Sequence, residues 1–476
     1  MVFIQQIISI FLFIMHYINS KEIFQNNNIN EFSGIYISSS NDLERANKIF
    51  DISSLNISQN DYIIYINGIK ESNSSNVYNF QKGNIYNIRV IFNIQLEKTN
   101  SMFYECISLK ELNLSLLNTS QVSNMNKMFY GCSSLTSIDL KNFNTENVII
   151  MDEMFYFCES LIKLDLSSFN TINVISMQNL FGGCTSLTSL DLSYFNTKNV
   201  KNMAWFFSSC SSLINLDLLS FNTRKVRTMQ SMFSNCNSLV KIELSSFNTE
   251  NVENMESMFN ECNLLTNLDL KSFNTRNVIT MNSMFANCES LIDINLNRFN
   301  TEKVKTMANM FSNCNSLKTI NLSSFNTKQV TYLSNMFYNC VSLTSINLSS
   351  FNTEKVVNSG NMFNNCNSLK FIDLSSFNSS SFEYIYNMFY NCTSLTSIDL
   401  TNFRFDNIVY MEGMFYQCIN LRNIILDNCE LKANTNIKSA FFGLSNKGIL
   451  KVPKDKCNLI VNELISTNMD WKVEYF

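Results

Sequence analysis

Residues 144–170 read NTENVIIMDEMFYFCESLIKLDLSSFN and contain one full copy of a 26-residue repeat. Cysteines mark the repeat at a constant spacing, with no insertion or deletion across thirteen copies. Phe occupies the third position before each of these cysteines, and Leu occupies the third and eighth positions after it. A fixed period of this length is the signature of a solenoid. The thirteen cysteines are Cys106, Cys132, Cys158, Cys184, Cys210, Cys236, Cys262, Cys288, Cys314, Cys340, Cys366, Cys392 and Cys418.

The two halves of the repeat carry different apolar patterns. Residues 161–166 end in alternating apolar and polar side chains, which is typical of a half-buried strand. The apolar residues from Val148 to Cys158 recur at spacings of 3, 3, 1 and 3, as on one face of a short helix. Thr145 precedes them as a candidate N-cap. The sequence therefore predicts an α/β solenoid of thirteen strand-turn-helix units, with right-handed crossovers and one parallel sheet along its concave side.

The repeat resembles that of the BspA-like leucine-rich-repeat surface proteins, in the branch with MF-x-x-C repeats, a domain of unknown function. The resemblance covers about residues 96–430. It implies a leucine-rich-repeat superhelix on the cell surface or secreted, associated with adhesion or protein binding, and it supplies no catalytic residues. The matching residues in one copy are Met125, Met128, Phe129, Cys132, Leu135, Ile138, Asp139, Leu140, Phe143, Asn144 and Val148.

The segments outside the repeat are interpreted as a leader and two caps. Residues 1–20 contain an apolar run that is too short to span a bilayer and fits a probable signal peptide, although a buried N-terminal strand is the alternative. Residues 21–95 contain strand-like runs and are predicted to form a β-rich N-terminal cap. Residues 96–430 form the solenoid, and residues 431–476 form a C-terminal cap that covers its last unit. No membrane span is expected in the mature chain.

Composition argues against several classes of function. The only histidine is His16, inside the predicted signal peptide, which excludes catalytic arrangements and zinc sites that need imidazole. No Gly-rich phosphate-binding loop is present either. The net charge of −4 gives no overall basic field for binding nucleic acid. We expect a protein that is not an enzyme, uses no cofactor and no metal, and does not bind nucleic acid.

The cysteines have three possible roles. Paired spacings such as C-x2-C are absent from the repeat, which argues against structural zinc. Side chains in the same slot of successive coils point the same way, so their β-carbons are expected to stay too far apart for disulfides. A ladder of thirteen buried free thiols is therefore the preferred interpretation. Cys429 and Cys457 lie outside the regular spacing, and a disulfide between them is a possibility that would fasten the C-terminal cap.

Polar residues between the paired leucines are the candidate ligand-binding residues. By strand alternation, a column of Asp, Glu and Asn side chains is predicted to point onto the concave surface. It suits a basic peptide, a cation or polar sugars, but a merely solvated face is the alternative. Lys271 offsets part of the acidic charge, and Leu219 and Phe371 interrupt the pattern. The candidate residues are Asp139, Lys163, Asp165, Asp191, Tyr194, Asp217, Lys241, Glu243, Asp269 and Arg298.

Two functions are consistent with these features. The first is an extracellular or cell-surface binding or adhesion protein with a protein or glycan ligand, as the signal-like start, the solenoid and the resemblance indicate. The second is an intracellular scaffold for protein–protein interaction, which is favoured if residues 1–20 are retained and all fifteen cysteines are reduced.

Overall fold

The computed structural model describes residues 30–37, 48–72, 75–468 and 470–476. The predicted signal peptide, with His16, lies outside these residues. The chain divides into two compact units. The first extends to Val174 and includes Cys184–Phe195, and the second comprises Ile175–Gly183 and Asn196–Phe476. Within each unit, 26-residue coils stack as a β-solenoid with parallel pairing between neighbouring coils.

The first unit begins with an antiparallel sheet that leads into the coils. Strand β1 pairs antiparallel with both β4 and β5, whereas β5 pairs parallel with β6 and so begins the coil-to-coil pairing. The sheet order is β3-β2-β4-β1-β5-β6. The strands are β1 (Glu31–Ile37), β2 (Tyr62–Ile66), β3 (Ile69–Lys70), β4 (Ile85–Phe92), β5 (Leu109–Asn113) and β6 (Ser137–Asp139).

The second unit ends in a parallel sheet and a helix. Strands β9 to β12 pair in parallel in the order β12-β11-β10-β9, and β7 pairs with β8 in a separate sheet. The coil pattern continues beyond residue 430, because Leu444 occupies the slot of the next cysteine and the Phe415 N–H donates to the Ala440 carbonyl. The elements are β7 (Asn215–Asp217), β8 (Lys241–Glu243), β9 (Ser397–Arg404), β10 (Asn423–Asn428), β11 (Ile449–Val452), α1 (Asn458–Thr467) and β12 (Lys472–Tyr475).

The prediction of a helix in each unit is wrong. We call the segment from the buried Thr to the Cys the turn half of a coil, for example 275–288; it contains tight turns instead of helix. The residue before each of the thirteen cysteines has a positive φ of 55–73°, and the residue four positions earlier has one of 52–60°. Left-handed residues cannot continue a right-handed helix. The apolar spacing of 3, 3, 1 and 3 therefore arises from consecutive turns.

Backbone hydrogen bonds explain why this turn half is stable without a helix. In residues 281–288, the N–H groups of Ala286 and Cys288 donate to carbonyls three residues back. The alternate N–H groups of Ser283, Phe285 and Asn287 donate to the following coil, at 2.9, 3.0 and 2.7 Å. Local turns and coil-to-coil bonds together satisfy the backbone, as a buried segment requires.

The predicted strands form in only some coils. We call the segment after each cysteine the strand half, for example 289–300. Between Glu243 and Ser397 the described structure has no regular strand in this segment, and isolated bonds such as Ile292 N–H to Thr266 O, 3.2 Å, join neighbouring coils. The expectation of one parallel sheet throughout is therefore also wrong. The coils are held together more regularly by the turn half.

The core consists of columns of identical residues stacked from coil to coil. The rings of Phe259, Phe285 and Phe311 lie nearly parallel, with centroids 5.8 and 5.5 Å apart. A second column includes Phe247 and Phe273, 6.3 Å apart. Such pairs add about 0.5–1.5 kcal/mol each beyond the burial of their area. These columns bury the side chains that no single coil could cover alone.

The predicted N-cap has a different role. Thr145 is buried, and its hydroxyl accepts the N–H of Asn170 in the next coil at 2.8 Å and donates to the Asn170 carbonyl at 2.9 Å. The same two-way clamp joins Thr275 to Asn300. The Asn144 side chain instead accepts an N–H of its own turn, that of Glu146, at 2.9 Å. The Thr residues at this position of the repeat therefore connect coils, while the Asn residues directly before them close turns.

Candidate ligand-binding face

The candidate acidic column projects into solvent. In the coil of β7, Leu216 and Leu218 are buried, whereas Asn215, Asp217 and Leu219 alternate with them and are exposed. The corresponding acidic residues in neighbouring coils of each unit are also exposed, except Glu243, which is half-buried. We call this surface of a unit the strand face.

Each acidic side chain of the strand face also closes a turn in its own coil. Oδ1 of Asp165 accepts the N–H of Ser167 at 3.0 Å, and Oε1 of Glu243 accepts the N–H of Ser245 at 3.0 Å. Asn295 makes the same bond to the N–H of Asn297, at 3.1 Å. The acceptor oxygen is thus the shared requirement at this position. The negative charge of Asp or Glu is not needed for this turn-closing bond.

For Asp165 and Asp269, these bonds favour the ionised carboxylate. Hydrogen bonds from the side chain and the N–H of Ser167 hold the pKa of Asp165 below its ordinary value. The pKa of Asp269 is lowered in the same direction, first by the N–H of Lys271. A hydrogen bond to the charged form favours that form. Asp165 and Asp269 therefore keep their negative charge well below neutral pH.

Basic and large side chains interrupt the acidic column. Lys163 and Lys241 are exposed two positions before acidic residues, and Nζ of Lys271 lies 3.3 Å from Oδ2 of Asp269. The guanidinium of Arg298 donates to the Lys271 carbonyl at 3.2 Å. The strand face therefore carries mixed charge, and its acidity is weaker than the Asp column alone suggests.

The candidate residues fall into two groups, one in each unit. The first unit contains Asp139, Lys163, Asp165, Asp191 and Tyr194, and the Tyr194 side chain is 55% exposed. The second unit contains the remaining candidates and the two large apolar exceptions on the same face. These residues are Asp217, Leu219, Lys241, Glu243, Asp269, Arg298 and Phe371.

An exposed aliphatic row in the second unit was missed by the sequence reasoning. Ile214, Val240 and Ile292 occupy the fourth position after their cysteines and are 48%, 48% and 51% exposed. In the coil between those of Val240 and Ile292, Thr266 occupies this position, and Leu264, two residues before it, is 47% exposed. The Val240 N–H donates to the Ile214 carbonyl at 2.9 Å, so these two residues lie side by side. The repeated Ile or Val at this position was the available signal.

The thirteen regularly spaced cysteines are buried free thiols in the structure. The thiol of Cys314 donates to the Phe285 carbonyl of the preceding coil at 3.2 Å, and its neighbours repeat this bond. Burial raises the pKa of Cys340 to about 12. Because the thiolate is the reactive form, these side chains are placed for packing and not for nucleophilic chemistry.

Cys429 and Cys457 form a disulfide, with α-carbons 5.2 Å apart. Cys429 follows β10 and Cys457 directly precedes α1. The bond therefore ties the C-terminal helix to the end of the coils of the second unit.

The described residues offer neither a metal site nor a membrane-spanning helix. Among residues 30–37, 48–72, 75–468 and 470–476, no group of three or more His, Cys, Asp or Glu side chains is arranged to hold a metal ion. Within the same part of the chain, no helix has the length and apolar character needed to cross a bilayer.

Comparisons with known proteins identify the repeat. The model of the family described as "Mycoplasma protein of unknown function, DUF285" matches residues 65–187, 159–266, 259–372 and 344–448. No curated protein matches the chain. One solved structure with some similarity is described as "Crystal structure of TLR13-ssRNA13 complex", with 14% identity over 78% of this chain and 79% of that chain. Its TM-score is 0.19, so it carries no argument about shape or function.

Proposed function

This chain belongs to the DUF285 family, whose model covers most of its coils, and we propose that it is a non-enzymatic binding protein that acts outside the cell. Its strand face holds a protein partner. The resemblance to BspA-like surface proteins supports this assignment, because that family is associated with adhesion and protein binding.

The aliphatic row beside the acidic column is the observation that carries the proposal. Ile214, Val240 and Ile292 are each about half exposed, and Asp217 and Glu243 lie three residues beyond the first two in the chain. Clustered exposed apolar side chains rimmed by polar residues mark interaction sites. The partner buries the aliphatic row and offers basic groups to the carboxylates.

A protein partner fits this surface better than a small polar ligand. Aliphatic side chains gain from burial against other apolar groups, at about 25 cal/mol per Å² removed from water. The Asp217 carboxylate already uses Oδ1 to accept the Leu219 N–H at 3.0 Å, which leaves Oδ2 for a partner. Cations on a partner would reach it without disturbing that turn.

The disulfide supports a location outside the cytosol. Disulfides persist in oxidising compartments and are rare in the cytosol. The Cys429–Cys457 bond therefore favours an oxidising compartment. The thirteen other thiols are buried, so an oxidising environment does not require them to pair. This argument favours the extracellular function over the intracellular scaffold.

The absence of enzymatic activity is part of the proposal. A reaction needs residues in named catalytic roles. The chain has one histidine, His16, and the regularly spaced thiols have raised pKa values, for example about 12 for Cys236. The acidic side chains of the strand face close turns, as Asp165 does.

Location is tested by surface-protease treatment of intact cells, with mass spectrometry of the mature N-terminus. We expect protease-accessible protein that starts near Lys21. A protected protein that retains Met1 would contradict the extracellular assignment and favour the intracellular scaffold.

Partner binding is tested with a photo-crosslinking amino acid at Val240 in the full chain, on cells that produce it. The matched control is the same substitution at Ile419, which is 49% exposed in the same unit but lies directly after a cysteine. We expect a discrete protein adduct from position 240 only, and its loss in an Ile214→Asn variant. Adducts from both positions, or from neither, would contradict the proposed binding face.

A further inference from the structure

A dense group of basic side chains lies on two neighbouring coils of the second unit, away from the strand face. In both coils the basic residues surround a buried valine, Val200 in one and Val226 in the other. All five basic side chains are exposed. We call this group the basic edge; it consists of Lys198, Lys201, Arg224, Lys225 and Arg227.

The backbone fixes these residues side by side. The Arg227 N–H donates to the Lys201 carbonyl at 2.9 Å, and Asn202 pairs in parallel with Thr228. Paired strands lie about 4.8 Å apart, so the two coils present their cations at about that spacing. Nζ of Lys225 also donates to Oδ1 of Asn199 in the preceding coil at 2.8 Å. The cations therefore project from a rigid support.

Few carboxylates neutralise the basic edge. Nη1 of Arg227 lies 2.8 Å from Oε1 of Glu253, and this pair is largely exposed. Lys198, Lys201 and Arg224 make no ion pair with any residue that the structure describes. The positive charge of these three side chains is therefore available to an anionic partner.

The next coil interrupts the edge, because it carries Glu250 and Glu253 and no basic residue at the corresponding positions, and basic residues return in the three coils after it. At the corresponding positions, residues 250–331 carry four more basic side chains and three glutamates. Arg276 forms an ion pair with Glu250. Over all edge positions from 198 to 331, nine basic residues exceed three glutamates, a local excess that the net charge of −4 for the whole chain conceals. The additional basic residues are Arg276, Lys303, Lys305 and Lys328, and the glutamates are Glu250, Glu253 and Glu302.

We propose that the basic edge binds a linear sulfated polysaccharide. Residues 223–228, TRKVRT, form a short basic stretch of the kind found in polyanion and heparin sites. Sulfate groups carry a permanent negative charge, and lysine and arginine side chains bind them through ion pairs and charge-assisted hydrogen bonds. Cations side by side on two neighbouring coils match a partner whose charges recur along a chain. This site is separate from the strand face and does not depend on the protein partner.

Two other polyanions fit the basic edge less well. Single-stranded nucleic acid is held by aromatic rings that stack on bases, and the edge positions of residues 198–331 contain no aromatic residue. A membrane surface is bound by apolar side chains that insert beside the cations. Val200 and Val226, which lie between the cations, are fully buried. The exposed Ile175 and Ile279 lie in the same column as Lys201 but are separated by three charged residues of the stack, so they form no apolar patch.

The test measures the affinity of the purified full chain for heparin at about 0.15 M salt. The edge variant is Lys198→Gln, Lys201→Gln, Arg224→Gln. The control variant Lys318→Gln, Lys370→Gln, Arg422→Gln removes the same number and types of charge from exposed positions of the same unit. We expect the edge variant to bind on the order of 30-fold more weakly or worse, with a salt dependence reduced by roughly 2–3 counterions. The control should change less than threefold.

Two further measurements test whether binding needs the positive charge of the edge and the sulfate groups of the polysaccharide. The charge-conserving variant Lys198→Arg, Lys201→Arg should retain affinity, and chemically desulfated heparin should bind poorly to the unaltered protein. Equal loss in the edge and control variants, or equal binding of desulfated heparin, would overturn the proposal. So would tighter, edge-dependent binding to phosphatidylserine vesicles or to single-stranded RNA. Unchanged thermal unfolding of the variants verifies that each remains folded.

Discussion

The turn half and the strand half of a coil bury similar apolar residues, but their backbones are held to neighbouring coils differently. In residues 281–287, four alternate N–H groups donate to the next coil at 2.7–3.2 Å. In the strand half that follows, only the N–H groups of Ser290 and Ile292 donate to carbonyls of the preceding coil in the described structure, at 3.1 and 3.2 Å. The half that resembles a helix in sequence is therefore the more regular β-ladder.

Side-chain chemistry explains the difference. In the turn half, left-handed residues such as Ser283 and Asn287 aim alternate N–H groups along the stack. In the strand half, polar side chains take up N–H groups within the coil, as Asn295 does with the Asn297 N–H. Regular pairing here depends on left-handed turn residues more than on strand-forming residues.

The largest effect should come from proline at a left-handed position of the turn half. Asn313 has a φ of 58°, and its N–H donates to the Tyr338 carbonyl at 2.7 Å. Asn313→Pro removes the donor and requires a negative φ, so we expect the free energy of unfolding in urea to fall by about 4 kcal/mol or more.

Two controls make this prediction specific. Asn313→Gly keeps the N–H and the left-handed conformation but loses the side-chain bonds with Asn287 and Asn339, so it should cost about 1–2 kcal/mol. Thr319→Pro in the strand half, where no backbone hydrogen bond of the Thr319 N–H is found in the described structure, should cost under about 1.5 kcal/mol. Equal costs for the two prolines would contradict the difference between the halves.

The next effect concerns cysteines in the two halves. Cys429, at the end of a strand half, is joined to Cys457 across 28 residues. Cys429→Ser should destabilise the C-terminal segment by about 3–4 kcal/mol, because the crosslink restricts the unfolded chain. Cys314→Ser in a turn half keeps a donor for the Phe285 carbonyl and should cost about 1 kcal/mol.

Alkylation followed by mass spectrometry checks the same contrast in the folded protein. Cys429 and Cys457 are themselves buried, but mild reduction should loosen the C-terminal segment that their bond fastens and make both thiols reactive, while the thirteen thiols of the coils stay unmodified. Modification of Cys314 at a comparable rate would show that the turn half opens readily, against its dense hydrogen bonding.

The period and the buried columns could be predicted from sequence because each depends on residue type at a fixed position. The helix could not be separated from consecutive turns, since both place apolar residues at spacings of three and four. The distinguishing signal was the residue before each cysteine, which is Gly131, Asn235 or Asn287 in several copies. Asn and Gly tolerate the left-handed conformation, whereas a helix interior disfavours them.

The two proposed binding surfaces differ in the same respect. The acidic column was visible because twelve of the thirteen copies carry a polar residue there and only the last has an apolar one, Ile425. Its turn-closing bonds depend on backbone geometry that the sequence pattern does not show. The basic edge was missed because net charge averages over the chain, while Lys201 and Arg227 are neighbours only in the stack.

A smaller effect should come from the Thr clamp of the turn half. Thr275→Val keeps the shape but removes the hydroxyl that both accepts from and donates to the Asn300 peptide group. We expect the free energy of unfolding in urea to fall by about 2 kcal/mol, because the Asn300 N–H and the Asn300 carbonyl both lose this partner. Ser272→Ala removes the single bond to the Leu244 carbonyl and should cost about 1 kcal/mol. A larger loss for Ser272→Ala than for Thr275→Val would contradict the conclusion that the turn half holds neighbouring coils together more strongly than the strand half.

The smallest effect is expected for the charge of the acidic column. Asp269→Asn keeps the acceptor for the Lys271 N–H, as Asn295 does for Asn297 in the next coil. Its stability at neutral pH should therefore match the unaltered protein within about 0.5 kcal/mol. Asp269→Ala removes the acceptor and should be the less stable of the two.

The pH dependence separates the turn-closing bond from the charge. The pKa of Asp269 is lowered in the folded chain, chiefly by the Lys271 N–H. A depressed folded pKa gives stability that is present above the unfolded pKa, near 3.9, and is lost as pH falls through the folded value. The difference in thermal unfolding between the unaltered protein and Asp269→Asn should thus stay constant above about pH 5 and change below about pH 4. A difference that is constant through the acid range would mean that Asp269 closes its turn through the acceptor oxygen alone, and that its charge is free for a partner.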